Sequence, residues 1–185
     1  MSKHSLSSYE PTPQDIFLLD TNLLIHLFYP TMRKSYMKSY ETFFAKALTR
    51  HSKLILPAIQ LSEFINRCIR FQFGLYRENL PQNMRDIDFK KDYRSTQDYH
   101  DSMTGILDIV KNDILKTFHP VDDHFSDIDT SSVLLYGFSY DFNDALLVQI
   151  ADYYKAAIVT HDSDFANYTT KQPVITNNQT LLMFR

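Results

Sequence analysis

The chain has 185 residues, a formal net charge of −3, and 44% hydrophobic against 22% charged residues. This balance fits one folded domain with a sizeable core, and excludes a disordered chain or a general cationic nucleic-acid binder. The single cysteine, Cys68, excludes an internal disulfide or a cysteine metal cluster, and the three glycines are too few and too scattered for a phosphate loop or dinucleotide fingerprint.

Residues 1–14 read as a loose arm, since Pro11 and Pro13 stop any early helix. Ile16-Phe17-Leu18-Leu19 is a continuous apolar run ending at Asp20, the pattern of a strand buried on both faces of a parallel sheet. Thr21 or Asn22 could then cap a short helix, Leu23 to Phe28, stopped by Pro30. Helical spacing returns over 35–50, with Tyr36, Tyr40, Phe43, Phe44, Ala47 and Leu48 on one face. Lys53 to Leu56 reads as the second strand, closed by Pro57, and 58–73 as a helix with Glu63 in its second turn. Gly74 to Tyr99 is crowded with charge and reads as a solvated helix-loop segment. A helix over 102–116, a short strand over 118–121 and a helix over 130–136, ended by Gly137, follow. Asp141 to Tyr154 reads as a helix, and 157–160 and 173–176 as strands. Strands alternating with helices predict an α/β fold with a parallel sheet between helical layers. The start is polar and no apolar run is long enough to span a bilayer, so a cytoplasmic protein with no membrane contact is expected.

Four carboxylates fall at comparable places. Asp20 ends a strand, Glu63 lies early in the helix after the next strand, Asp144 opens a helix, and Asp162 follows a strand, with Asp164 two residues on. Open α/β sheets bind ligands at the carboxyl ends of their strands. Each acid also has an ordinary reading. Asp20 suits a turn, Glu63 can pair with Arg67 one helical turn away, Asp144 suits a helix start, and Asp162 and Asp164 suit Asx turns. Asp144 is the hardest to explain this way, because Asp141 or Asn143 can already cap the helix, and Leu147, Val148 and Ala151 share its flank. A covered carboxylate needs a partner, and no Arg or Lys lies between Tyr136 and Tyr154. Carboxylates that meet repel one another, and a hard divalent cation relieves that repulsion.

Other features have simpler readings. Arg33, Lys34 and Lys38, interleaved with Tyr36 and Tyr40, fit either RNA contact or the wet side of a helix. The stretch 71–76 suits a dimer or partner-protein surface less well than core packing, and 122–129 lacks the Gly and terminal Glu of a calcium loop. His161 reads as exposed rather than as a substrate contact, and no His pair has zinc spacing.

The motifs Leu-Leu-Asp20-Thr21-Asn22, Leu-Ser-Glu63-Phe, Phe-Asn-Asp144-Ala-Leu-Leu and Val-Thr160-His-Asp162-Ser-Asp164-Phe165, in this order, resemble those of the PIN-domain family. The resemblance covers most of the chain and implies a three-layer α/β/α sandwich with a mainly parallel sheet. It makes 15–185 a single PIN-like domain, with a poorly matched helical insertion around 74–118. It implies a Mg2+- or Mn2+-dependent endoribonuclease that hydrolyses RNA to 5′-phosphate and 3′-hydroxyl ends. Asp20, Glu63, Asp144 and Asp162 would be the metal-binding catalytic acids, Asp164 an accessory metal ligand, and Asn22 and Thr160 the groups that orient them. Many small bacterial members resemble toxins of VapBC-type toxin–antitoxin pairs, which implies a cognate antitoxin and a homodimer as partners. This chain is longer than is usual for those toxins. Competing readings are an aspartate-based phosphatase with Asp20 as nucleophile and a non-catalytic PIN-like binding module. Asn22 stands where a dehalogenase-type phosphatase carries its second Asp.

Overall fold

A computed structural model describes residues 2–29, 37–134 and 141–183. Strands β1 (Lys3–Ser5), β2 (Ile16–Leu19), β3 (Lys53–Pro57), β4 (His119–Val121), β5 (Ala157–Val159) and β6 (Val174–Thr176) form one sheet in the order β1-β6-β5-β2-β3-β4. Every pairing is parallel. From β2 the chain steps outward to β3 and β4, then returns to β5 on the other flank of β2. The crevice between β2 and β5 is therefore the topological switch point, where sheets of this kind take their ligands.

Alternating side chains on the strands feed two cores. Phe17, Leu19, Leu54, Leu56 and Val159 pack with residues of helices α1 (Thr21–Phe28), α2 (Met37–Thr49), α3 (Ala58–Asn79) and α4 (Gln97–Ile109). Leu18, Ile55, Ile158 and Val174 pack with residues of α6 (Thr130–Val133), α7 (Phe142–Tyr154) and α8 (Gln179–Met183). The period of two along a strand produces this division, and the result is the expected α/β/α sandwich. A three-residue α5 (Leu115–Thr117) follows α4 after a π-helical turn over Val110–Ile114. Among the described residues no helix is long and apolar enough to cross a membrane.

Several expectations need correction. The arm over 1–14 is not loose. Lys3–Ser5 pairs with Val174–Thr176, Leu6 is buried, and the Tyr9 ring packs edge-on against Phe17 at 5.9 Å. Lys-His-Ser has no apolar pattern because backbone pairing makes this strand. Helix α3 does not stop before Gly74 but runs to Asn79. Leu80, extended at φ −76° and ψ 152° as a residue before proline must be, ends it.

The stretch 74–99 is not merely a solvated segment. Phe89 and Tyr93 are buried, and Phe73, Tyr76 and Tyr99 gather round Tyr93 at 5.1–5.6 Å. The Arg70 guanidinium lies 3.8 Å over the Phe89 ring. Thr96 starts α4 by accepting a hydrogen bond from the Tyr99 amide, five residues before the expected start at 102. Arg33, Lys34, Tyr36 and the helix end at Gly137 lie outside the described residues. Lys38 is exposed, whereas Tyr40 is buried and does not face solvent.

Candidate active site

Strand β2 delivers Asp20 to the switch point, where the Asp20 amide donates to the Val159 carbonyl of β5 at 2.9 Å. The Asp20 side chain itself caps α1, in place of Thr21 or Asn22. Its Oδ1 accepts from the Asn22 amide at 3.1 Å, and Oδ2 accepts from the Thr160 hydroxyl at 2.8 Å and, at 3.5 Å, from the Asn22 side-chain amide. Thr160 is itself buried, and its Oγ1 accepts from the Asp162 amide at 2.9 Å. One hydroxyl thus links Asp20 to the loop that carries Asp162. Asp162 Oδ1 then accepts from the Asp164 amide at 2.9 Å, capping a 3-10 turn over Ser163–Asn167.

Glu63 comes from α3. Asp123 caps that helix by accepting from the Ile59 amide at 3.1 Å, and the buried Gln60 donates its side-chain N–H to the Leu19 carbonyl. This bond pins the first turn of α3 against the end of β2. Glu63 Oε2 accepts from the Thr21 hydroxyl at 2.8 Å, and Oε1 accepts from Arg67 at 3.3 Å. The simple i,i+4 pair therefore exists beside the bond to Thr21.

Asp144 sits in the first turn of α7, which Asp141 caps through the Asn143 and Asp144 amides. Burial, then the charges of Asp20, Asp141, Asp162 and Glu63, push the Asp144 carboxyl up to about 8. Burial also raises Asp20, to about 6. The bonds from Asn22 and Thr160 restrain the rise, and the charge of Asp162 adds to it. Asp20, Glu63, Asp144 and Asp162 thus share one electrostatic neighbourhood. Asp164 is exposed and is not among the principal charges acting on Asp20 or Asp144.

The donors suit a hard divalent cation in kind, being carboxylate oxygens whose repulsion such an ion would relieve. Among the described residues, however, no three His, Cys, Asp or Glu side chains are arranged to hold one ion. The acids share a field without forming a finished coordination shell.

Sequence reasoning missed three positioning groups. Thr21 on Glu63, Gln60 on Leu19 and Tyr40 on the β5 loop all act across more than forty positions, which local spacing does not reveal. The Tyr40 hydroxyl lies 3.1 Å from the Thr160 carbonyl and 2.9 Å from His161 Nδ1, and accepts from the Asn177 amide at 2.8 Å. It ties α2 to the ends of β5 and β6. His161, expected to be a plain exposed residue, is half-buried against the Tyr40 ring.

The crystal structure of VapBC2 from Rickettsia felis bound to a DNA fragment from its promoter is similar to this chain at 16% identity and a TM-score of 0.47. The match covers 86% of this chain and 98% of that one. No curated protein matches the sequence. Residues 17–171 match the family model of the PIN domain. PIN domains are in general nucleases, and a match running from β2 to beyond β5 means that the chain belongs to the PIN-domain family.

Proposed function

We propose that the chain is a divalent-cation-dependent endoribonuclease. One observation carries this reading: burial, and then the charges of Asp20, Asp141, Asp162 and Glu63, push the Asp144 carboxyl up to about 8. Asp20, Glu63, Asp144 and Asp162 would hold Mg2+ or Mn2+, with Asp164 an accessory at the outer edge. A bound ion supplies Lewis-acid polarisation and charge neutralisation at the phosphodiester. The chain's own residues set the geometry. Thr160 and Asn22 fix the Asp20 oxygens, Thr21 and Arg67 hold Glu63, and the Asp141 cap sets the first turn of α7. A phosphatase using Asp20 as nucleophile is disfavoured, since Asn22, which bonds Asp20, stands where such an enzyme carries its second Asp.

In this reading the partners are RNA, a cognate antitoxin and a second copy of the chain, acting in the cytoplasm. A neighbouring reading frame for a small protein that binds and silences the enzyme is expected. The purified protein should cut single-stranded RNA with Mg2+ or Mn2+, stop on addition of EDTA, and yield 5′-phosphate ends. Asp20→Asn and Asp144→Asn should each abolish cleavage while leaving the circular dichroism spectrum unchanged. Undiminished cleavage by folded Asp144→Asn, or in EDTA, would overturn the assignment.

A further inference from the structure

A cavity of about 610 Å3 opens beside the acids, and Asn22 and Asp162 belong to its wall. It is therefore continuous with the candidate active site. The rings of Tyr29 and Phe71, both half-buried, line it, and Ser163 brings a hydroxyl. Arg67, held by Glu63 at 3.3 Å, places a cation where cavity and acids meet. The Tyr29 hydroxyl donates to Gln72 at 3.1 Å, which fixes that ring against α3.

Unpaired RNA bases are read by stacking on aromatic side chains and by hydrogen bonds to their edges, while a nearby arginine takes the phosphate. The cavity falls in the size range of small-molecule sites and offers two aromatic rings among apolar neighbours, polar groups from Asn22 and Ser163, and an arginine next to the acids. We propose that it is a base-binding subsite, which takes one unstacked nucleobase of the substrate strand beside the cleaved phosphodiester. This rests on the ribonuclease reading, and it makes Phe71 the main stacking residue. Phe71 and Arg67 lie one turn apart on α3, so base and phosphate would be held by one rigid element.

Two measurements separate the subsite from the nuclease assignment. The first is binding of oligoribonucleotides carrying 2-aminopurine at successive positions to the Asp144→Asn protein, read by fluorescence. One position should change sharply, and Phe71→Ala and Phe71→Leu should each remove that change. Phe71→Leu keeps a large apolar side chain at this position and removes the π-face. The second is cleavage of RNA with single abasic substitutions. Wild type should lose about tenfold in kcat/KM at one position, the scale of one base–aromatic stack. Phe71→Leu should lose about as much on intact RNA and become indifferent to the abasic site. Cleavage with no position-dependent penalty, or a penalty that survives Phe71→Leu, overturns the subsite. Phe71-dependent fluorescence without any cleavage upholds the subsite and overturns the nuclease. Fluorescence that is flat at every position overturns the subsite whatever the activity.

Discussion

The sheet end around Asp20 and the helix start around Asp144 carry the same functional group in one electrostatic neighbourhood, yet the chain holds them differently. Asp20 is 2% exposed but receives donors from Asn22 and Thr160, and its carboxyl rises only to about 6. Asp144 is less covered, but no hydrogen bond to its carboxyl is found among the described residues, and it rises to about 8. Hydrogen bonds to the charged form thus offset much of what deeper burial costs. One side of the site is locked by the sheet. The other carries a charge that no hydrogen bond among the described residues offsets, and a bound cation would relieve it.

The sharpest way to break this comparison is to remove the charge from each side in turn. Asp144→Asn should raise the Tm of metal-free protein at pH 8 by about 5 °C or more, since each kcal/mol is worth roughly 2–4 °C in a chain of this size. Asp20→Asn should raise it less, because its charge is already compensated. Calorimetry in EDTA checks both, and an equal rise in the two variants would erase the distinction.

The same contrast has a pH signature. Both carboxyls sit above their unfolded value of about 3.9, so between about pH 4 and 8 the folded chain binds more protons than the unfolded one. The stabilisation by protonation is full below about pH 4 and is lost as pH rises through about 6 for Asp20 and about 8 for Asp144. Metal-free stability from these groups should therefore increase on acidification from pH 8. Saturating Mg2+ should flatten the slope, and Asp144→Asn should remove its upper part.

Smaller effects sharpen the picture. Thr160→Val keeps the shape but deletes the donor to Asp20 and the acceptor for the Asp162 amide. Cleavage should fall about 10–100-fold, the scale for residues that orient metal ligands. Urea unfolding should show a loss of about 1–3 kcal/mol. Smallest of all, Arg67→Gln should change stability by less than ~0.5 kcal/mol, because its pair with Glu63 is an exposed i,i+4 contact.

Much of the fold was legible wherever burial forces a pattern. β2, β3 and β5 are short apolar runs, and α7 is rich in Leu, Val and Ala, so their places follow from composition. β1 was not legible, since an edge strand stabilised by backbone pairing needs no apolar signature. The aromatic cluster around Tyr93 was hidden because its buried rings alternate with charges that remain outside. At the site, strand-end placement pointed to Asp20 and Asp162, and the ion-pair reading of Glu63 with Arg67 describes a real bond. Helical spacing placed Tyr40 on the apolar face with Phe43 and Ala47, where it is buried, but gave no sign that its hydroxyl holds the β5 loop. Such long-range polar ties depend on the folded arrangement and leave no local spacing behind.

The pairing of Lys3–Ser5 with β6 bears on how the protein should be handled. These few polar residues shield the flank of a strand whose Val174 and Ile175 are fully buried. A version trimmed at the front would bare a ribbon of unsatisfied amides and carbonyls, ready to be borrowed by another molecule. Clumping of such a shortened protein would then reflect a lost cover rather than a damaged catalytic centre.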